Sequence, residues 1–188
     1  MLDSLIQLDT KLFLALNGAH SPFWDCIMLF ASGKLTWLPL YLLIIYLIAR
    51  EHRWKTLWWL LAIALVVTLA DQISVQAFKN VFQRLRPCHN PGLSDFIHLV
   101  GRCGGKYGFI SSHAANTFGV AVFLSFLFSR KWVTAGLLVW ATFVSYSRIY
   151  LGVHYPGDVL VGAIVGAGIG SAVWFVSSRL LSRYVYKK

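Results

Sequence analysis

The sequence contains five apolar stretches, each close to the length that a helix needs to cross a lipid bilayer. They lie near residues 35–49, 56–78, 113–129, 132–150 and 157–177. Crossing a hydrocarbon core of about 30 Å takes roughly 20 mostly apolar residues, because each helical residue rises about 1.5 Å. The pattern predicts an all-α fold, a polytopic membrane helix bundle of about five transmembrane helices. An amphipathic N-terminal segment over residues 1–34 is expected to precede them.

The composition agrees with a membrane environment. Only 13% of the residues are charged and 57% are hydrophobic, whereas a soluble domain carries about 25% charged residues. The net charge of +10 would suggest nucleic-acid binding in a soluble chain. In a membrane chain, cations instead mark cytoplasmic loops or an anionic ligand. We therefore expect the bilayer as a partner, no nucleic acid, and a single domain over residues 1–188.

The positions of the cations predict the orientation of the bundle. Three segments are rich in lysine and arginine: residues 50–55, residues 130–131 and the tail from residue 179 onward. By the positive-inside rule these segments are cytoplasmic. Three other regions then lie on the outer side, namely residues 1–34, a long loop over 79–112 and a short loop over 151–156.

The long outer loop contains five cations, although outer loops are usually poor in them: Lys79, Arg84, Arg86, Arg102 and Lys106. Cations that occur in an outer loop despite the positive-inside rule indicate an anionic ligand. The simpler alternative is that they bind the phosphates of the outer membrane surface. The same loop contains Cys88 and Cys103, in a compartment that permits disulfides. They either form a bridge or remain two free thiols, and Cys26 is the odd thiol.

Three polar clusters fall at or near the outer ends of the predicted helices: Lys79 with Arg86-Pro87, then Ser111-Ser112-His113, then Ser147-Arg148 with His154 and Asp158. Lys79 and Arg86 are about two helical turns apart and share a face if that segment is helical. Pro87 disfavours the helical conformation for Arg86 and marks the end of the segment. Asp71 lies about two turns before Lys79 within the second apolar stretch, and we assign it a supporting ion pair.

The second cluster predicts a helix start. Ser111 or Ser112 occupies the N-cap position before the apolar run that begins at Ala114. The free N–H groups of this helix start would face the outer surface and form a ready site for an anion. The simpler alternative is that these serines only cap the helix.

The third cluster predicts an imidazole–carboxylate pair. Pro156 suits the first position of a helix, so His154 stands just before the fifth helix and Asp158 lies in its first turn. A carboxylate bonded to one ring nitrogen fixes the tautomer and leaves the other nitrogen free as a nucleophile or base. The alternative is a pair that only holds a loop together, but the nearby cations and His113 argue against it. The remaining histidines are assigned to the surface or loops: His20, His52, His89 and His98.

Together the three clusters resemble the signature of the type 2 phosphatidic acid phosphatase (PAP2) family, whose parts read K-x6-R-P, P-S-G-H and S-R-x5-H-x3-D. The first and third parts are matched in full, and with the intervening segments the match covers residues 79–158. The second part departs from the pattern, since Ile110 replaces its proline and Ser112 replaces its glycine.

The resemblance implies a role for each matched residue. His154 would attack phosphorus and become a phosphohistidine, Asp158 would orient it, and His113 would protonate the leaving oxygen. The other matched residues would bind the phosphoryl oxygens: Lys79, Arg86, Ser111, Ser112 and Arg148. No metal or other cofactor is implied, and the sequence offers no carboxylate cluster near the site that would suit Mg²⁺.

The resemblance also implies a function, that of an integral-membrane phosphatase acting on a phosphomonoester or diphosphate of a lipid headgroup. The chain resembles the small bacterial members of the family. The resemblance therefore implies a location in the cytoplasmic membrane, with the active site facing the periplasm or outside. The additional cations Arg84, Arg102 and Lys106 favour a headgroup with several negative charges. Lipid A and undecaprenyl diphosphate are therefore favoured over phosphatidic acid and phosphatidylglycerol phosphate. Two alternatives remain open, a lipid-to-lipid phosphotransferase and a non-catalytic protein that binds or transports anionic lipids.

Overall fold

The computed structural model describes residues 2–185, which form helices and connecting loops without a β-strand. The helices, in chain order, are α1 (Leu2–Gly18), α2 (Pro22–Ser32), α3 (Leu38–His52), α4 (Thr56–Gln72), α5 (Asn80–Phe82), α6 (Ser112–Phe128), α7 (Lys131–Tyr150) and α8 (Pro156–Val185). The predicted all-α fold is therefore confirmed for the described residues. The five apolar stretches correspond to α3, α4, α6, α7 and α8.

The path from α3 to α5 brings the chain to Lys79, the first residue of the polar clusters. A positive φ of 49° at Arg53 ends α3, and a short 3-10 turn over Arg53–Lys55 leads into α4. α4 continues as a π-helix over Ile73–Lys79 and then as the single turn of α5. Gln83 adopts the left-handed conformation, with φ 48° and ψ 28°, and ends this helical segment.

α6 is the central helix, packed against α4, α7 and α8. Its approach to α8 is so close that glycine is required at the contact. A Cβ added at Gly166 would overlap the carbonyl oxygen of Ala115, and one added at Gly170 would overlap that of Gly119. Aromatic rings fill the core away from this contact, including Trp59, Phe123 and Trp174. The two helices that begin beside the polar clusters are thus held at backbone contact.

The N-terminal segment, predicted as one amphipathic stretch over residues 1–34, forms two helices. On α1, Phe13 is fully buried and its ring lies 5.4 Å from the ring of Tyr155. Asn17 is also buried, and its Nδ2 donates to the carbonyl oxygen of Tyr150 at 2.7 Å. α1 therefore packs against the end of α7 and the loop before α8.

By length and composition, two helical stretches among the described residues could cross a membrane: Leu35–Phe82 and Pro156–Arg183. The first stretch contains two helices, α3 and α4, which are joined by the turn at Arg53. Two shorter apolar helices accompany them, Pro22–Ser32 and Ser112–Phe128. The predicted number of five transmembrane helices stays a prediction.

Candidate active site

The imidazole of His154 and the carboxylate of Asp158 form a buried pair at the start of α8. Pro156 begins this helix and Asp158 lies in its first turn. Nδ1 of His154 lies 3.3 Å from Oδ2 of Asp158, and the same oxygen accepts the N–H of Tyr155 at 3.1 Å. The backbone N–H of His154 donates to the carbonyl oxygen of Arg148 at 3.2 Å. Because Asp158 holds Nδ1, Nε2 is the ring nitrogen left to act on a substrate.

Burial determines the charge of His154. The residue is only 2% exposed, and the loss of hydration lowers the pKa of its ring to about 4, although the hydrogen bond and charge of Asp158 oppose this shift. Desolvation acts in this direction because it disfavours the charged form of a base. The ring is therefore neutral at physiological pH, and Nε2 has a free lone pair.

Arg84 lies on the other side of Asp158. Its Nη1 is 2.9 Å from Oδ1 of Asp158 and its Nη2 is 2.7 Å from Oδ2 of Asp9. The expectation that Arg84 binds a headgroup is therefore wrong, because both terminal nitrogens contact carboxylates of the protein. The other oxygen of Asp9 accepts the N–H of Gly157 at 2.7 Å. The sequence analysis missed Asp9, since it belongs to no motif and lies 75 residues from Arg84.

Lys79 and Arg86 reach the site from different elements. Lys79 ends the π-helix after α4, and its Nζ donates to Oγ of Ser112 at 2.6 Å. Arg86 lies in an extended segment with φ −65° and ψ 155°. The segment from Lys79 to Arg86 is not a continuous helix, because the helix ends at Gln83 and Pro87 disfavours the helical conformation for Arg86. The condition for a shared helical face is therefore not met.

The loop that contains Arg86 is cross-linked beside the site. Arg86 Nη1 donates to the carbonyl oxygen of Cys103 at 2.8 Å. Cys103 forms a disulfide with Cys88, the two Cα atoms being 6.0 Å apart, so the structure contains the bridge rather than two free thiols. Gly108 separates Arg86 from Asp158, since a Cβ added to it would lie 3.0 Å from Arg86 Cγ and 3.2 Å from Asp158 Oδ2. The Arg86 side chain therefore lies within one residue's width of the His154–Asp158 pair.

The second cluster begins α6, with Ser111 as its N-cap. Ser111 Oγ accepts the N–H of Ala114 at 3.4 Å, and the N–H of Ser111 donates to the carbonyl oxygen of Asp158 at 2.9 Å. Ser112 and His113 follow in the first turn and are half-buried. The start of α6 is thus tied to the first turn of α8, which brings the second cluster beside the third. The binding of phosphate by these serines stays a prediction.

Arg148 extends from the last turn of α7. Its Nη1 donates a hydrogen bond to Oγ of Ser32 at the end of α2, while its buried Nε has no hydrogen-bond partner within residues 2–185. The charges of Arg86 and Arg148 also lower the pKa of His154, which is consistent with both guanidinium groups being close to that ring. A buried donor without a partner is costly, so this guanidinium is available to an anion.

A cavity of about 470 Å³ opens beside His113. Its polar part is lined by Ser32, Lys34, His113, Asn116 and Thr117, and its apolar walls include Tyr41, Ile63, Val120 and Trp140. The sequence analysis missed Lys34 and Asn116. The buried Oδ1 of Asn116 has no hydrogen-bond partner in the described part of the chain. Its position one helical turn after His113 could have indicated it, whereas no comparable signal indicated Lys34.

His98 lies in a loop, as predicted, and its Nε2 lies 2.9 Å from Oδ1 of Asp25, which also accepts the hydroxyl of Tyr150 at 2.7 Å. The assignment of Asp71 to a supporting ion pair is wrong. Asp71 is exposed and forms no ion pair with any other described residue. Residue spacing does not determine which side chains form an ion pair.

Comparison with known proteins identifies one family and a relative that is similar over most of this chain. Residues 56–181 match the model of the PAP2 superfamily. The chain is 43% identical to the lipid A 4'-phosphatase of Bacteroides thetaiotaomicron over 187 residues, which cover 97% of this chain and 83% of that protein.

Two solved structures are similar to this fold. One is Aquifex aeolicus LpxE, with 28% identity and a TM-score of 0.66 over 88% of this chain and 94% of that one. The other is the first transmembrane PAP2-type phosphatidylglycerolphosphate phosphatase from Bacillus subtilis. It has a TM-score of 0.69 over 96% of this chain and 87% of that one, and at 22% identity it shows a likeness of fold.

Proposed function

The chain belongs to the PAP2 superfamily and is a membrane lipid phosphatase, and we propose that it acts through a phosphohistidine formed on His154. The observation that most supports this mechanism is the buried His154–Asp158 pair, with Nδ1 bonded to the carboxylate at 3.3 Å and Nε2 unprotonated. A protein that only binds or transports anionic lipids has no need of such a nucleophile.

In the first step, Nε2 of His154 attacks phosphorus while the bond from phosphorus to the lipid oxygen breaks. His113 enters this step protonated, with its positive charge stabilised by the bound phosphate dianion, and donates one ring proton to that leaving oxygen. The Nδ1 proton stays on the ring of His154, where the negative charge of Asp158 stabilises the positive charge that the ring acquires. A protonated leaving alcohol is far easier to expel than an alkoxide, which is the contribution of general acid catalysis.

In the second step, water attacks phosphorus and the bond from phosphorus to Nε2 breaks. His113 takes the proton from this water and so regains the one that it lost. Inorganic phosphate leaves, and His154 recovers its lone pair. The phosphoryl oxygens are held in both steps by cations and by the start of α6: Lys79, Arg86, Ser111, Ser112 and Arg148. Phosphoryl transfer depends mainly on such positioning and charge stabilisation.

The cavity beside His113 supports a lipid as the substrate. Its polar part includes Lys34 and Asn116, and its remaining walls are apolar side chains of α3, α4, α6 and α7. A phosphate at the polar part would leave its apolar tail among these walls. This arrangement suits a headgroup attached to acyl or prenyl chains.

We propose a lipid A phosphate as the substrate, with undecaprenyl diphosphate as the second candidate. The similarity to a lipid A 4'-phosphatase supports this choice. The exposed cations Arg102 and Lys106 on the Arg86 loop, together with Lys34 at the cavity, favour a headgroup with several negative charges. Phosphatidic acid, with a single phosphomonoester, offers fewer charges to this set of cations.

The proposed setting is the cytoplasmic membrane of a bacterium, with one domain and five transmembrane helices formed by α3, α4, α6, α7 and α8. The cationic segments at residues 50–55 and 130–131 and at the C-terminal end favour the cytoplasm. The active site then faces the periplasm or outside, a compartment that agrees with the disulfide between Cys88 and Cys103.

The first experiment is release of phosphate by the detergent-purified protein in EDTA, with four lipids as substrates: lipid A, undecaprenyl diphosphate, phosphatidic acid and phosphatidylglycerol phosphate. We expect release to be fastest from lipid A and to vanish in His154→Ala. The control His52→Ala, at the far end of α3, should keep wild-type activity. A phosphorylated protein trapped in the wild type but not in His154→Ala would identify the intermediate.

The same assay can refute the proposal. Full activity in His154→Ala would exclude the phosphohistidine. Binding of all four lipids without release would favour a non-catalytic protein. Loss of lipid phosphate to an added acceptor lipid, rather than to water, would identify a phosphotransferase.

A further inference from the structure

We propose that Arg84 and Asp9 are positioning residues of the phosphatase: Arg84 holds Asp158 against His154, and Asp9 holds Arg84. This inference rests on the proposed function of the His154–Asp158 pair. Neither residue touches the phosphate in this arrangement. Asp9 lies on α1, so the N-terminal helix takes part in the catalytic machinery.

The two oxygens of Asp158 have different partners. The carboxylate is fully buried, and a buried carboxylate must be compensated by hydrogen bonds or opposite charge. Oδ2 serves His154 and the N–H of Tyr155, while Oδ1 accepts from Arg84 at 2.9 Å. Without Arg84, Oδ1 would lose its charged partner, and rotation of the carboxylate would no longer be opposed.

Contacts on several sides immobilise Arg84. Each of its two terminal nitrogens contacts a different carboxylate, and its guanidinium carbon lies 4.0 Å from the ring centre of Tyr155. The Tyr155 hydroxyl accepts from Nδ2 of Asn90 at 3.2 Å. The Arg84 carbonyl oxygen accepts the N–H of Gly108 at 2.8 Å. These contacts orient the guanidinium group of Arg84 toward the two carboxylates.

The charges of Asp9, Arg84 and Asp158 also fit these positioning roles. Asp9 and Asp158 share the single positive charge of Arg84, so the three groups together keep one negative charge. That charge faces His154, whose ring becomes positive when Nε2 bonds to phosphorus. Arg84 alone would neutralise Asp158, and Asp9 therefore preserves the electrostatic stabilisation that the phosphohistidine requires.

Asp9 has a second contact, with the start of α8. Its Oδ1 accepts the N–H of Gly157 at 2.7 Å, one of the free N–H groups at the start of α8. Asp9 thus fixes both Arg84 and the helix turn that contains Asp158. An asparagine at this position would retain the amide oxygen for Gly157 but lose the charge that holds Arg84.

The test compares kcat and KM for phosphate release from lipid A in Arg84→Gln, Arg84→Lys, Asp9→Asn and the double variant Arg84→Gln/Asp9→Asn. Arg130→Gln is the matched control, because Arg130 pairs with Glu51 at 2.9 Å on an exposed surface. We expect Arg84→Gln to lower kcat about 10- to 100-fold, the usual cost of losing an outer partner of a catalytic group. KM and inhibition by vanadate should change by less than about twofold, and Arg84→Lys should recover part of kcat.

The variants of Asp9 test whether Asp9 acts on Asp158 through Arg84. Asp9→Asn should lower kcat less than Arg84→Gln does, and the double variant should be no slower than Arg84→Gln, because Asp9 acts through Arg84. The control Arg130→Gln should keep the wild-type kcat. A rise in KM and in the vanadate inhibition constant with unchanged kcat would overturn the proposal, because it would make Arg84 a phosphate ligand.

A second readout does not depend on activity. In ¹⁵N-histidine-labelled protein, the Nδ1–H resonance of His154 should be present in the wild type and Arg84→Lys and lost in Arg84→Gln. Persistence of this resonance in Arg84→Gln would overturn the positioning role. If the wild type released no phosphate from any lipid, the proposed function would fail, whereas the resonance would still decide whether Arg84 positions Asp158.

Discussion

At the residue scale, His154 is separated from bulk water while Asp158 occupies one of its ring nitrogens. A solvated histidine with its usual pKa of about 6.5 would be partly protonated in mildly acidic surroundings and would lose its lone pair. Burial lowers the pKa of the His154 ring to about 4, so that the ring becomes protonated only in more acidic surroundings. The proposed nucleophile therefore remains available over the pH range in which the phosphate substrate itself changes charge.

We expect the ring of His154 to stay neutral at pH 5.5, where an ordinary imidazole would be about 90% protonated. The sign follows from burial, which disfavours the cation and so lowers the pKa of the ring. Titration of ¹⁵N-histidine-labelled protein by NMR, with His154→Gln to assign the signal, measures this directly. A midpoint near pH 6.5 for His154 would contradict the expectation.

The role proposed for His113 predicts a dependence on the leaving group. His113→Asn should lower kcat/KM for lipid A by about 10²- to 10⁴-fold, the range of general acid catalysis. The loss should be much smaller with a 4-nitrophenyl phosphate ester, since nitrophenolate leaves without a proton. Equal losses with both substrates would show that His113 has another role.

At the element scale, the contact between α6 and α8 determines how the second and third clusters meet. The N–H of Ser111 donates to the carbonyl oxygen of Asp158 at 2.9 Å, which joins the two helix starts. Further along, Gly166 of α8 lies against the carbonyl group of Ala115 on α6. The distance between these two helices therefore also sets the distance between His113 and His154.

Gly166→Ala should destabilise the protein and lower its activity, because the added Cβ would overlap the carbonyl oxygen of Ala115. Overpacking of this kind costs about 1–3 kcal/mol. Gly168→Ala is the matched control on the same helix, since nothing lies within 4 Å of a Cβ added there, and it should be neutral or slightly stabilising. Thermal unfolding in detergent measures both variants, and equal unfolding temperatures would show that the helices can separate without cost.

At the scale of the whole molecule, the exposed surface is apolar along the helices and cationic near the proposed cytoplasmic ends. Exposed apolar side chains occur on most of the long helices, for example Leu42, Leu61, Val139 and Ile164. Such a surface matches a bilayer and leaves polar loops at the two ends. The orientation of these ends decides which leaflet supplies the substrate.

Cysteine labelling tests the orientation. In a Cys26→Ser background, we expect Ser94→Cys to react with a membrane-impermeant maleimide in intact cells, because Ser94 is exposed in the loop before α6. Ser129→Cys, exposed between α6 and α7, should react only after lysis. The native disulfide between Cys88 and Cys103 does not react with maleimide. The reverse pattern would place the active site in the cytoplasm.

Much of this architecture could be predicted from local patterns. Apolar length indicated the five long helices, and Pro156 with Asp158 indicated the helix start that orients His154. Hydropathy marks where a chain meets lipid but not where its hydrogen bonds end. The last stretch, predicted over residues 157–177, accordingly continues as helix to Val185.

Contacts between distant residues could not be predicted in this way. The sequence shows the charge of Arg84 but not its contact with Asp9, so Arg84 was expected to favour a charged headgroup. The left-handed Gln83, which separates Lys79 from Arg86, likewise has no marker in the sequence. Such features depend on the packing of elements that are far apart in the chain.

The contacts of Asp9 also determine when the site can form during translation. The helix that contains Asp9 is translated before its partners, since Arg84 and Gly157 follow 75 and 148 residues later. His154 and Asp158 are close to Gly157 in the sequence and are translated equally late. The proposed catalytic site can therefore assemble in the membrane only after the first turn of α8 has been made.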